Sequence, residues 1–316
     1  MGSGAYIVLR KEPEFAGHPK GLYVLFFAEM WERFSYYGMR ALLIFYLTQH
    51  WLFADDAASI IYGAYTALVY ITPVLGGYIA DRYLGQRKAV QFGAVLLTFG
   101  HFLMAFEGMR GVTDAAVKQA DPAINVFWLA LSFIIVGSGF LKANISVIVG
   151  QLYPRTDVRR DGAYTIFYMG INAGAAIGTI LAGYLGQTYG WAYGFGAAGF
   201  GMLLGLIVFI IFKPLLLGKG ESRDPARLKS MVGPIKFEWL IYLIGFAAVG
   251  AIWLLIQYQE VVGTLVGVFG AILVAYVLYV AVAKLPSEDR DRIFAAMFLI
   301  IGSILFWALF EQAGSS

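Results

Sequence analysis

The chain has 316 residues, 60% of them hydrophobic and 14% charged, with 38 glycines, no cysteine and a formal net charge of +3. Soluble domains keep about a quarter of their residues charged, so a soluble protein of this length is excluded. The lack of cysteine closes disulfide frameworks, thiolate metal sites and cysteine nucleophiles. A polytopic membrane protein remains.

Residues 1–20 read as a polar arm without the apolar run of a cleavable signal. Nine apolar stretches follow, at roughly 21–49, 57–81, 88–108, 125–149, 162–186, 191–213, 236–256, 262–284 and 292–313. Each is long enough to cross about 30 Å of hydrocarbon as a helix. Helices are required because only they satisfy their own backbone over runs this long in lipid, and the ten-residue alternation of a membrane barrel is missing. The six spans within 21–213 are joined by short loops, and residues 214–235, with Pro214, Pro225 and Pro234, separate them from three later spans. Gly174 with Gly178, and Gly201 with Gly205, have the spacing that lets helix backbones approach closely in lipid. A faint echo, Leu75-Gly-Gly-Tyr-Ile79 against Leu181-Ala-Gly-Tyr-Leu185, is spaced by three helices and fits an inverted repeat.

Eighteen of the 23 Lys and Arg residues lie in the N-terminal arm and in loops on its side of the membrane. The positive-inside rule therefore predicts a cytoplasmic N-terminus. Few charges fall inside spans, and those few stand out. The first span holds Glu29, Glu32, Arg33 and Arg40, the fourth Lys142, and the ninth Glu311. Each ionised group costs about 2.5–3.5 kcal/mol at a membrane centre on insertion scales. Glu29, Glu32, Arg33, Tyr36, Tyr37 and Arg40 fall within a stripe about 140° wide on one helix, which predicts that they line a polar interior where they pair mutually. A carboxylate beside a movable cation can exchange it for a proton, a functional reading that competes with a purely structural ion-pair network. His101, the one histidine well inside a span, reads as a satisfied structural residue. No cluster has metal-ligand spacing and no serine sits in a nucleophile elbow, so no metal, cofactor, enzyme activity or nucleic-acid partner is expected. Gly194-Phe-Gly196-Ala-Ala-Gly199 mimics a dinucleotide fingerprint but lies inside an apolar span with no strand before it.

Glu29-Met-Trp-Glu32-Arg33-Phe-Ser-Tyr36-Tyr37-Gly38 resembles the E-x-x-E-R-F-x-Y-Y-G signature of the proton-dependent oligopeptide transporters, a branch of the major facilitator superfamily. Asp81-Arg82-Tyr-Leu-Gly85-Gln-Arg87-Lys88, Phe140-Leu-Lys142-Ala-Asn144 and Phe167-Tyr168-Met-Gly-Ile-Asn172-Ala-Gly174 are similar to its further motifs. The resemblance implies an all-α fold in which 21–213 is the N-terminal six-helix bundle, 214–235 a cytoplasmic linker, 236–284 an inserted helix hairpin and 285–316 the first helix of a C-terminal bundle whose remainder is not in this sequence. It implies a symporter of di- and tripeptides with protons, working by alternating access in the cytoplasmic (inner) membrane, with H+ as coupling ion and no cofactor. Glu29, Glu32, Arg33, Lys142 and Glu311 would couple protons. Tyr36, Tyr37, Arg40, Tyr70, Lys142, Asn172 and Trp307 would hold the peptide, and Asp81, Arg82 and Arg87 would join the bundles on the cytoplasmic side. The alternatives are a symporter of a non-peptide solute such as nitrate and a non-transporting sensor or assembly module.

Overall fold

The structure is a computed structural model that describes residues 13–312, with side chains to residue 310. Among these residues nine helices have 19 residues or more: α1 (Lys20–Phe45), α2 (Asp55–Ile79), α3 (Gln86–Met104), α5 (Ile124–Gln151), α6 (Arg159–Tyr189), α7 (Trp191–Phe212), α9 (Phe237–Leu255), α10 (Gln259–Ala283) and α11 (Ser287–Gln312). They coincide with the nine predicted spans to within a few residues. Seven are long and apolar enough to cross a membrane by length and composition alone. The exceptions are α1, which carries the intramembrane charges, and α3, which opens on Gln86, Arg87 and Lys88.

Several elements go beyond the sequence reading, which treats them as loops. Two one-turn helices, α4 (Ala115–Gln119) and α8 (Pro225–Lys229), are capped by Asp114 and Asp224, whose side chains accept from the backbone N–H of Val117 and Arg227. Short hairpins pair β1 (Glu14–Phe15) with β2 (His18–Pro19) and β3 (Met231–Val232) with β4 (Ile235–Lys236). The first turns through Ala16 and Gly17, both at positive φ, as the tightest hairpin loop demands.

Close helix approach builds the bundle. In α6, Gly174 rests on the Met30 carbonyl and Gly178 on Phe34, so a Cβ at either would drive into the α1 backbone. In α7, Gly201 faces the Phe34 ring, and a Cβ at Gly205 would lie 3.0 Å from that of Trp31. These four glycines seat α1 between α6 and α7. On the other flank Gly76 of α2 meets Gly139 of α5, and Gly93 of α3 meets Gly137. Asn144 of α5 donates to Phe140 O (2.8 Å) and to Gly76 O (3.4 Å), and Thr72 of α2 donates to Ile135 O (3.0 Å). Helix α5 is consequently the most buried of the seven apolar helices.

The ends are fastened differently. At the end that carries the N-terminus, the backbone around Gly220–Ser222 is bonded to the loop between α2 and α3. Arg87 pairs with Glu221 at 2.6 Å, its N–H donates to Gly220 O (2.8 Å), and Ser222 donates to Tyr83 O (2.6 Å). Gly85, at φ 82°, has no room for a Cβ against Ser222. Helix α9 is attached to the same bundle by Lys88–Glu238 at 2.7 Å, by Phe92 packed on Tyr242 and Phe246, and at its far end by Trp253 Nε1 donating to Asn125 O (3.1 Å).

At the opposite end, the loop from α3 to α5 folds over buried Glu107, Lys118 and Asp121. Glu107 accepts from the Ala192 N–H at the start of α7 and pairs with Arg110 at 2.8 Å. Lys118 donates to Met109 O and lies 4.6 Å from the Trp51 ring centre. Asp121 accepts from the backbone N–H of Met109 (2.7 Å) and Ala123 (2.9 Å), which holds its carboxyl below the usual carboxylate range.

Two outcomes follow from these contacts. Gly178→Val is expected to cost about 1–3 kcal/mol by overpacking or to prevent folding, whereas Gly196→Ala, where a Cβ meets nothing within 4 Å, should leave the melting temperature of detergent-purified protein unchanged or raised. The second outcome concerns Asp121, whose folded-state pKa lies below its unfolded value, so its stabilisation is full above the ordinary carboxylate range and is lost as the pH falls through the depressed value. The protection factors of the amides of residues 105–123, measured against the intrinsic exchange rate at each pH, should fall below about pH 4. In Asp121→Asn protection should be lower at neutral pH and should lose that acid dependence.

Candidate transport site

Helix α1 brings its charged stripe to the bundle interior. Glu29, Glu32, Tyr36 and Arg40 are buried, and Arg33 and Tyr37 are half-buried. The i, i+4 spacing lets Arg33 Nε reach Glu29 Oε1 at 2.7 Å, while Glu32 Oε2 lies 3.2 Å from the same nitrogen. Two carboxylates thus share one guanidinium. Glu29 Oε2 and both oxygens of Glu32 have no hydrogen-bond partner in the structure.

Lys142, from α5, makes no ion pair among the described residues. Its Nζ sits over the Tyr36 ring, 3.6 Å from the centroid, and 5.3 Å from that of Tyr70. Of the charges expected to pair mutually, Glu29, Glu32 and Arg33 do so, while for Lys142 an aromatic face stands where a described carboxylate is expected. His101 needs a correction too. It is buried, yet neither ring nitrogen has a partner, so it is not the satisfied histidine that its sequence context suggests.

Beside the stripe lies a cavity of about 650 Å³ lined by Tyr37, Arg40, Ala41, Tyr62, Tyr168, Ile171, Asn172, Ala175, Thr179, Trp307 and Phe310. It gathers side chains from α1, α2, α6 and α11. Tyr37, Arg40, Asn172 and Trp307 were singled out from the sequence, whereas Tyr36, Tyr70 and Lys142 do not line it. Tyr36 is fully buried beneath Lys142, and Tyr70 is 56% exposed on α2. Glu311 lies outside the described side chains.

Sequence reasoning passed over Tyr62, Tyr168 and Thr179 as lining residues. Tyr62 is the most consequential, since its hydroxyl accepts from Arg40 Nε and its ring lies 5.4 Å from the guanidinium carbon. A signal for the others exists: Tyr168, Asn172, Ala175 and Thr179 recur at i, i+4, i+7 and i+11, one face of α6. Asp81, Arg82 and Arg87 lie away from the cavity. Asp81 accepts from Gln86 (2.6 Å), Arg82 is exposed beside Tyr78 and Tyr83, and Arg87 holds Glu221. No group of three or more His, Asp or Glu able to hold a metal occurs among the described residues.

The chemistry on offer is a mixed one. Arg40 presents a guanidinium, a bidentate partner for a carboxylate, at the cavity wall. Tyr37, Tyr62, Tyr168 and Thr179 supply hydroxyls and Asn172 an amide, while Trp307 and Phe310 supply aromatic faces. The cavity therefore suits a small polar solute that carries a carboxylate.

The helices enclose charged residues beside a cavity, and comparison with known proteins gives the fold as that of the major facilitator superfamily. The POT family profile matches residues 87–316. The chain is 37% identical to the uncharacterized transporter YclF of Bacillus subtilis, over 98% of its own length and 61% of that protein. It is 34% identical to the peptide transporter YePEPT of Yersinia enterocolitica, over 96% of the chain and 60% of that protein. The crystal structure of a mutant peptide transporter POT in complex with alafosfalin superposes with a TM-score of 0.75 at 35% identity, covering 96% of this chain and 60% of the other. A POT family transporter in complex with 5-aminolevulinic acid gives 0.75 at 34% identity, covering 96% and 62%. The chain belongs to the POT family, and it spans about three-fifths of the length of these relatives.

Removing the Tyr62 hydroxyl tests the placement of Arg40. A hydrogen bond to a charged group contributes about 1.5–3 kcal/mol. Tyr62→Phe in the full-length protein is therefore expected to raise the half-saturation concentration for a carboxylate-bearing substrate about tenfold or more while folding normally.

Proposed function

We propose that the whole protein is a symporter that imports di- and tripeptides with protons across the cytoplasmic membrane by alternating access, its N-terminus on the cytoplasmic side. The observation that carries this reading is the adjacency of the buried Glu29–Arg33–Glu32 cluster to a cavity whose charged lining residue is Arg40. Relatives described as a peptide transporter and as a di-/tripeptide transporter support the substrate class.

In this mechanism Arg40 receives the peptide carboxylate, held in place by Tyr62. Tyr37, Asn172 and the α6 hydroxyls bond the peptide backbone, which every peptide shares, so side chains are widely tolerated. Glu29 and Glu32, which share the Arg33 guanidinium at 2.7 and 3.2 Å, are the carboxylates that couple the proton to the cargo. Lys142, resting on Tyr36, is a cation able to approach the carboxylates when the arrangement changes. Glu311 on α11 completes the charge balance: Glu29, Glu32 and Glu311 against Arg33, Arg40 and Lys142 sum to zero. Asp81, Arg82 and Arg87 act on the cytoplasmic side, where Arg87 already holds the linker through Glu221.

A small zwitterion that is not a peptide is the second reading, favoured by the relative solved with 5-aminolevulinic acid. Uptake of labelled dialanine into liposomes by the full-length protein, with an inward proton gradient imposed and then collapsed, separates the two. Accumulation above the external level only while the gradient lasts is the expected result. Glu32→Gln should lose that accumulation, falling to the level of empty liposomes, yet keep exchange of dialanine between equal concentrations. No uptake of dialanine, with uptake of 5-aminolevulinic acid intact, would move the assignment to the second reading.

A further inference from the structure

A second cavity, of about 510 Å³, lies between the first two turns of α1 and the end of α7, away from the transport site. Phe15, Tyr23, Val24, Phe27, Phe212 and Leu215 wall it, and among the described residues Lys20 is its one charged lining residue. The aromatic wall is fixed in place: Phe15 meets Tyr23 edge-on at 5.2 Å, and the Tyr23 hydroxyl donates to Phe15 O (3.1 Å). The seam behind it is tight, since a Cβ at Gly21 would stand 2.8 Å from Leu215 O. Phe27 and Phe212 are nearly half exposed, so the crevice opens to the outside of the bundle.

Among the described residues, the charge in the crevice lining is a cation. Lys20 is exposed at the rim, Lys213 stands in sequence between the lining residues Phe212 and Leu215, and Glu14, the neighbouring acid, is turned to Arg159 at 2.9 Å. Apolar walls reaching two turns, about 10 Å, into the membrane beneath a cationic rim match a molecule with an acyl chain and a negative head. The bundle end concerned is the basic one, which the positive-inside rule assigns to the cytoplasmic leaflet.

We propose that this crevice binds one anionic phospholipid of that leaflet, its phosphate paired with Lys20 and an acyl chain lying between Phe27 and Phe212. A free phosphate would leave the apolar walls unused, and a zwitterionic lipid would bring a cation to a cationic rim. The lipid would tie the start of α1, the helix that carries Glu29, Glu32 and Arg33, to α7.

The test is native mass spectrometry of the full-length protein, delipidated and then offered phosphatidylglycerol and phosphatidylcholine of identical acyl chains in equal amounts. One phosphatidylglycerol should be retained severalfold over phosphatidylcholine, and inorganic phosphate in excess should not displace it. In Lys20→Glu, an exposed change that leaves folding intact, the preference should fall to parity, whereas Phe27→Ala should weaken retention of both lipids. Equal retention by the unaltered protein, or an unchanged preference in Lys20→Glu, would overturn the proposal. So would a gain of lipid binding on removal of residues 1–12, which would assign the crevice to the chain's own arm.

Discussion

Charged side chains in a hydrocarbon layer must be enclosed, and that requirement governs this molecule. Glu29, Glu32, Arg33 and Arg40 on one helix would cost about 2.5–3.5 kcal/mol each if left facing lipid. Helix α1 therefore has to run through the interior, and its neighbours have to make room. Gly174 and Gly178 of α6 and Gly201 and Gly205 of α7 do so by removing side chains where α1 passes. Between membrane helices close packing takes over from the hydrophobic effect as the source of cohesion. The glycine content of the chain is in this sense the counterpart of its few buried charges.

Among the described side chains, enclosure does not give every carboxylate oxygen a hydrogen bond. One guanidinium serves two carboxylates, three carboxylate oxygens have no donor, and Lys142 rests on an aromatic ring. Counted with Glu311, the intramembrane carboxylates of α1 and α11 match the cations of α1 and α5 in number. A site arranged only for stability would pair its ions more completely, because a buried group without a partner is a standing cost.

The two ends of the bundle hold this interior in register by different means. One end relies on bonds to the linker and on the Lys88–Glu238 and Phe92–Tyr242 contacts, so that α9 is joined to α3 and α5. The other relies on a folded loop in which Glu107, Lys118 and Asp121 satisfy backbone groups of Met109, Ala123 and Ala192. Among the described residues, helices α10 and α11 have no comparable fastening, and their apolar windows are almost wholly exposed.

The sequence by itself determined the membrane class, the nine spans and the α1 stripe, because runs of apolar residues and charges at helical spacing are local properties that need no partner to be seen. It also marked Arg40, Tyr37, Asn172 and Trp307, four residues that share the cavity wall. Tertiary structure alone decided which helix meets which, and hence that Tyr62 holds Arg40, that Lys142 lies on Tyr36, that Arg87 grips the linker and that His101 is buried without a partner. The physical reason is distance along the chain: Arg40 and Tyr62 are 22 residues apart and Lys88 and Glu238 are 150 apart. Periodicity tells which way a side chain faces, and only the packing of one helix against another tells what it finds there.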